Sequence, residues 1–152
     1  MPQRVLITAG AGGIGLAMAK SFAANGARVH IADVNAEAVQ EITGQNPAIT
    51  GTVGDIGKAS DLDLLFAEIQ QQLGGLDVLI NNAGIAGATA PVADYPIETW
   101  NAVVGINLTG TFMVTQRAIP LLKQSLAGSI IVMSSLAGRF GYPNRVAYST
   151  TK

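Results

Sequence analysis

Near the end of the sequence, Tyr148 and Lys152 stand four positions apart with Ser149-Thr150-Thr151 between them. On a helix beginning near Tyr148 the two side chains share one face, and the ammonium then favours phenolate over phenol. A free tyrosine, with a pKa of about 10, is too reluctant to ionise to serve as a base at neutral pH. Beside a fixed cation it can take or give the proton of a substrate hydroxyl. Y-x-x-x-K alone is a common accident, so its weight rests on position. Ser135 lies upstream, just past an apolar run. Ser134 is its bland twin: it should end the strand, while Ser135 alternates to the other side.

Far upstream, Thr8-Ala-Gly-Ala-Gly-Gly-Ile-Gly15 contains G-x-G-x-x-G at Gly10, Gly12 and Gly15, with Gly13 and Ile14 inside it. Side chains there would hold the backbone away from a pyrophosphate, and a following helix offers unpaired N–H groups and a positive dipole end. The alternative is a glycine-rich turn serving only packing; placement after a strand and before a helix favours the anion seat. Asp33 follows Gly15 by 18 residues, close to the spacing of about 20 at which an acidic residue meets the adenosine ribose of a dinucleotide. A carboxylate accepts both ribose hydroxyls and repels a 2′-phosphate, and neither Val34 nor Asn35 supplies a cation for one, so NAD is expected in preference to NADP. The competing reading makes Asp33 the cap of a helix starting near Asn35.

The rest of the inventory is restrictive. There is no cysteine and one histidine, His30, which removes disulfides, thiolate nucleophiles and a histidine-rich metal site. In mid-strand, His30 is expected as a packed residue. A net charge of -1 leaves no basic field for nucleic acid. Arg4 followed by apolar residues faintly resembles a targeting signal, but Gly10, Gly12, Gly13 and Gly15 interrupt it. No run of about 20 apolar residues is present to span a bilayer, so a soluble, cytoplasmic chain is expected. Trp100, Phe112 and Met113 are expected as core or interface residues, and Asp61, Asp63 and Glu68 as a solvated helix face. With 49% hydrophobic and 12% charged residues, the chain must bury an unusually large share of itself or leave apolar surface for something else.

The elements that would position these groups alternate. Apolar runs at Arg4 to Ala9, Arg28 to Asp33, Ile49 to Val53, Asp77 to Asn81 and Ser129 to Ser134 read as buried strands. Between them Ile14 to Asn25, Asn35 to Thr43, Ser60 to Leu73 and most of Ile97 to Leu126 have helical period, with Pro120 expected to kink or divide the last. Strands alternating with helices imply parallel pairing through right-handed crossovers. The expected fold is one α/β domain over residues 1–152, a doubly wound, Rossmann-like parallel sheet.

Taken together, the glycine turn, Asp33, Gly54-Asp55-Ile56, Asn81-Asn82-Ala83-Gly84, Asn107 in its N-x-x-G setting, Ser135 and Tyr148-x-x-x-Lys152 resemble the short-chain dehydrogenase/reductase family from Arg4 to Lys152. The resemblance implies a sheet ordered 3-2-1-4-5-6-7, of which this chain holds 3-2-1-4-5. It implies a dinucleotide held by Gly10, Gly12, Gly13, Ile14, Gly15, Asp33, Val34, Asp55, Ile56, Asn82, Ala83, Gly84, Tyr148 and Lys152, with Asp55 beside the adenine. It also implies Tyr148 as acid/base, Lys152 on the nicotinamide ribose, Ser135 on the substrate oxygen, and Asn107 steadying a water that relays protons to Lys152. On spacing alone, an Asn between Gly105 and Gly110 equally suits a residue that bends a helix or bonds its own backbone. One departure is Ala9, where the family's first glycine usually stands; a methyl there is tolerable at negative φ and strained at positive φ.

The implied reaction is hydride transfer between NAD and a secondary alcohol or ketone. The alternatives are an NADP-dependent 3-oxoacyl reductase, against which Asp33 argues, and a nucleotide-binding protein without turnover, against which the intact tetrad argues. Substrate identity is not legible; its pocket is expected along Gly87 to Tyr95 and Arg139 to Arg145. Apolar residues on more than one face between Trp100 and Gln116 need covering, either by later parts of the chain or, as the resemblance favours, by a partner in a homodimer or homotetramer. Relatives of this kind run to roughly 250 residues. The domain is therefore expected to be incomplete at its C-terminal side, with the Tyr148 segment ordered only by contacts from outside this sequence.

Overall fold

The computed structural model describes residues 1–152. Five parallel strands, β1 (Arg4–Thr8), β2 (Arg28–Asp33), β3 (Ile49–Val53), β4 (Val78–Asn81) and β5 (Ser129–Val132), form one sheet in the order β3-β2-β1-β4-β5. The register is continuous through the centre: Val5 faces Val29 and Val78, and Ile7 faces Ile31 and Ile80. Side chains alternate across the sheet as the pleat requires. Val5, Ile7, Val29, Ile31, Val78 and Ile80 pack beneath α1 (Gly13–Ala24) and α2 (Ala36–Gln45). Leu6, Ala32 and Leu79 face α3 (Ala59–Leu73) and α5 (Thr111–Leu122). Both faces are covered, which is why the strands read as continuous apolar runs. In α3 the buried residues Leu62, Leu65, Ile69 and Leu73 form a single stripe, and Gly74, at φ 71, stops the helix in the left-handed conformation.

At the N-terminal edge of the strands, Arg4 on β1 forks onto Asp77 before β4, with Nη2 to Oδ1 at 2.7 Å, and Ser125 donates to the same oxygen. The hydrogen bonds from Arg4 hold the Asp77 carboxyl well below the ordinary carboxylate range. The opposite, C-terminal edge is left to loops, where the candidate residues Asp33, Asp55 and Asn82 end or follow their strands.

Three expectations need correction. Pro120 does not divide its helix; it sits exposed in the last turn of α5, where water can reach the Gln116 carbonyl it leaves without an amide. The irregularity lies earlier: α4 (Ile97–Val104) runs into a π-helical segment, Gly105–Gly110, before α5. Strand β5 stops at Val132 rather than Ser134, because after the Met133 amide bonds Asn81 O the chain turns into a short 3₁₀ helix capped by Ser135. The Tyr148 segment needs no outside contact to be ordered. It forms α6 (Val146–Thr151), with Ala147 fully buried and bonds from Thr151 to the π segment and from Lys152 to Met133, just past β5.

Candidate active site

The glycine turn between β1 and α1 is open where a ligand needs room and tight where the fold needs contact. A Cβ on Gly12 or Gly13 would meet nothing within 4 Å, whereas one on Gly15 would lie 2.0 Å from Ala9 O and one on Gly10 2.6 Å from the Ile31 side chain. The first helical bond is Leu16 N to Gly12 O, so the amides of Gly13, Ile14 and Gly15 precede it, with no acidic residue in the first turn. That is the arrangement an anion favours. Ala9 has φ 50, so its methyl occupies the strained alternative of the two set out above.

Thr8 and Asn82 tie this turn to β4. Thr8 Oγ accepts the amides of Asn82 and Ala83, each at 3.0 Å, and Asn82 Nδ2 donates to the carbonyls of Thr8 and Ala9 at 3.0 and 3.1 Å. Asn82 therefore holds the turn's underside. Thr8 is a residue whose role the sequence reading missed; its hydroxyl acts on residues more than seventy positions away, which no local pattern records.

Asp33 ends β2 and accepts Ala11 N at 3.0 Å on one oxygen and Asn35 N at 3.1 Å on the other. It does not cap α2; Asn35 does, through Oδ1 to Ala38 N. Asp33 instead lines a cleft of about 280 Å³ with Val34, Asp55, Ile56, Ala83 and Gly84, joined by Ile106, which the sequence reading did not single out. Asp55 Oδ1 accepts Gly57 N, and its own amide bonds Asp61 Oδ2, so the loop after β3 is braced from α3. That amide holds the Asp61 carboxyl below its ordinary range.

At the other end of the cleft, Asn107 and Lys152 come together beside Gly84. Asn107, buried in the π segment, accepts Ile85 N at 2.8 Å and donates to Ile85 O and to Thr151 Oγ, both at 3.0 Å. Both Nδ2 protons are thus committed, and the side chain bonds another loop's backbone rather than its own. Lys152 Nζ donates to Met133 O at 2.9 Å, and Ser134 Oγ donates to Lys152 O at 2.8 Å. A Cβ on Gly84 would lie 3.0 Å from Lys152 Nζ and 3.3 Å from Asn107 Oδ1, so glycine there lets the lysine close on the cleft. Ser135 Oγ accepts Ala137 N at 3.2 Å, which leaves its hydroxyl proton free to donate. Tyr148 is half-buried on α6. Thr151, one residue before the lysine, is the second hydroxyl that sequence reading passed over. The expected substrate walls also meet, through Ala90 N to Asn144 O at 3.0 Å and Arg145 Nη1 to Gly87 O at 3.4 Å.

Of the acidic residues on α3, Asp63 is exposed and Asp61 and Glu68 are half-buried, and each also has a partner. Asp61 serves the Asp55 loop, Asp63 pairs with Arg117 at 2.9 Å, and Glu68 accepts the Thr52 hydroxyl. His30 is packed, as its mid-strand position predicts.

Residues 3–152 match the family model described as short chain dehydrogenase. The chain is 32% identical over 151 residues to Dehydrogenase/reductase SDR family member 4 of Bos taurus, covering 97% of this chain and 54% of that protein. It superimposes on NAD+-bound xylitol dehydrogenase with a TM-score of 0.92 at 32% identity, covering 99% of this chain and 59% of that one. With 3-ketoacyl-(acyl-carrier-protein) reductase from Brucella melitensis, complexed with NADH, the TM-score is 0.94 at 30% identity, covering 98% and 63%. The chain thus spans between half and two thirds of the length of these relatives.

Proposed function

The chain belongs to the short-chain dehydrogenase family, and on that premise we propose that the protein is an NAD-dependent oxidoreductase acting on a secondary alcohol or ketone. The observation that carries this reading is the single cleft: Asp33 stands at one end, and Gly84, against which Lys152 Nζ rests, at the other. The two halves of a dinucleotide-dependent site are thereby on one surface.

A bound nicotinamide would supply hydride acceptance and donation, the chemistry that no side chain here provides. The protein's own groups do the rest. The open backbone at Gly12 and Gly13 and the α1 amides receive a pyrophosphate; Asp33 offers a free lone pair on each oxygen to ribose hydroxyls. Ser135 donates its uncommitted proton to the substrate oxygen. Tyr148 takes the hydroxyl proton on oxidation and returns it on reduction. Asn107 fixes the loop after β4 against α6, so that Gly84 and Lys152 keep their separation.

Relatives solved with NAD+ and NADH support the cofactor, and Asp33 supports it on charge. No helix is long and apolar enough to cross a membrane. We place the enzyme in the cytoplasm, as a homodimer or homotetramer with a small-molecule substrate and no nucleic-acid partner. Tyr148→Phe in the full-length protein tests the reading. Turnover should fall at least a hundredfold while NADH binding, followed by its fluorescence, stays within twofold. Retention of more than a few per cent of activity would move the acid/base role elsewhere.

A further inference from the structure

Three hydroxyl residues separate Tyr148 from Lys152, and one of them reaches out of the helix they share. Ser149 Oγ is buried without a partner, and Thr150 is exposed. Thr151 Oγ lies 2.9 Å from Ala147 O and 3.1 Å from Tyr148 O, the carbonyls four and three residues back, and it accepts Asn107 Nδ2 at 3.0 Å. That last contact is the one hydrogen bond by which the residues of α6, Val146–Thr151, are joined to another element.

The direction of the bond follows from counting protons. A hydroxyl has one, and threonine in a helix commonly spends it on the preceding turn. Both carbonyls within reach of Thr151 Oγ belong to α6, so toward Asn107 the oxygen offers lone pairs only. The amide nitrogen is the group that can meet them. Asn107 in turn is fully used: its second Nδ2 proton goes to Ile85 O at 3.0 Å, and Oδ1 accepts Ile85 N at 2.8 Å. At 5% exposure, water has little access to replace a partner that is lost. A continuous path of bonds thus runs from the α6 backbone through Thr151 and Asn107 to Ile85, the neighbour of Gly84 in the cleft wall. Lys152, next in sequence to Thr151, rests its Nζ against that same wall, 3.0 Å from where a Gly84 Cβ would stand.

We propose that Thr151 is a positioning residue: its hydroxyl, acting through Asn107, fixes how far Lys152 stands from the Gly84 wall and so sets the width of the cofactor cleft at the end away from Asp33. The inference rests on the dinucleotide reading given above, in which that end receives the nicotinamide half. Packing alone would not need the hydroxyl, because valine fills the same space without the lone pairs. Nor does Lys152 position itself, since its own bonds, Nζ to Met133 O and its carbonyl to Ser134 Oγ, tie it to the chain after β5 and not to the loop after β4.

Two measurements on the full-length protein test it. The first, hydrogen exchange at the Ile85 amide followed by NMR, needs no ligand. Exchange should speed up about tenfold in Thr151→Val and remain within about twofold of wild type in Thr151→Ser, which keeps the hydroxyl. The second compares NADH, which fills both ends of the cleft, with ADP, which lacks the nicotinamide ribose. Thr151→Val should weaken NADH by about fivefold or more while ADP stays within about twofold, and Thr151→Ser should restore NADH binding. A general loosening of the fold would lower both ligands together. Thr151→Ala, a better helix former, carries the same expectations if the valine variant does not fold. Unchanged Ile85 exchange in Thr151→Val, parallel losses of NADH and ADP, or a serine variant as weak as the valine one would overturn the proposal. A wild type that does not bind NADH would overturn the dinucleotide reading and the proposal with it; failure of the inference alone is the case in which NADH binds wild type and Thr151→Val alike.

Discussion

The Asp33 carboxylate accepts two amides, one on each oxygen, and still has a lone pair on each directed to the cleft. On the proposed function, structure and cofactor preference are joined in one side chain. Wild-type kcat/KM should favour NAD over NADP at least a hundredfold, because a 2′-phosphate would meet like charge. Asp33→Ser with Val34→Arg should reverse the preference, with a loss of tenfold or more in the NAD reaction as the Ala11 amide loses a charged acceptor. Steady-state kinetics with both cofactors decide it, and equal wild-type values would remove Asp33 from the role. Ala9 supplies a second expectation at this scale. At φ 50 its Cβ is strained, so Ala9→Gly should stabilise the protein by about 0.5–1 kcal/mol in urea denaturation, net of the added freedom of the unfolded chain. Asp33 and Ala9 were legible as positions of interest because glycine-turn spacing is local. Thr8 and Thr151 were not, because a threonine's worth here lies in hydroxyl bonds to Asn82, Ala83 and Asn107 that only the folded chain creates.

Elements formed by simple periodicity could be read directly. All five strands and the α3 stripe of Leu62, Leu65, Ile69 and Leu73 follow from apolar spacing, and the strand order observed is the one the family resemblance implied. The π segment Gly105–Gly110 could not, since an inserted residue leaves no mark in a 3.6-residue pattern, and Pro120 drew attention to the wrong end of the helix. Nor could the hydrogen bonds that join β2, β3 and α3, from His30 to Thr50 and Thr52 and from Thr52 to Glu68; the mid-strand position told only that His30 is packed. Those bonds make the sheet edge sensitive to acid. The folded protein keeps His30 neutral down to about pH 4, while an unfolded histidine takes up its proton near 6.5. Between those values the unfolded state binds more protons. The stability contributed is complete above pH 6.5 and is lost as pH falls toward 4, by about 3 kcal/mol at about 1.4 kcal/mol per pH unit. Denaturation at pH 7 and pH 4.5 should show the loss, and His30→Gln should flatten most of it. Asp77 titrates below this window, so it does not confuse the comparison.

Over the whole molecule, two stretches of exposed apolar surface differ in character. On β5, Ile130 and Ile131 are each 43% exposed and Val132 59%, beside the unpaired backbone of an edge strand. Such a surface is completed by another strand or by packing on the sheet face, and it invites aggregation when left bare. On the helical side, Leu108, Phe112 and Ile119 are exposed along one face, four and seven residues apart. Leu108 at the head of this stripe belongs to the π segment, whose Asn107 bonds the Ile85 backbone. Such a helical stripe is suited to helix-on-helix packing against the same stripe of a second copy, because one two-fold axis then buries both. The full-length protein should accordingly scatter light as a dimer or tetramer at micromolar concentration. Phe112→Glu should drive it toward monomer, because the pair of carboxylates would be brought together across the axis, while NADH still binds, since Phe112 does not line the cofactor cleft. A wild-type monomer would assign the stripe to other parts of the same chain; a Phe112→Glu protein that remains oligomeric would place the subunit contact elsewhere.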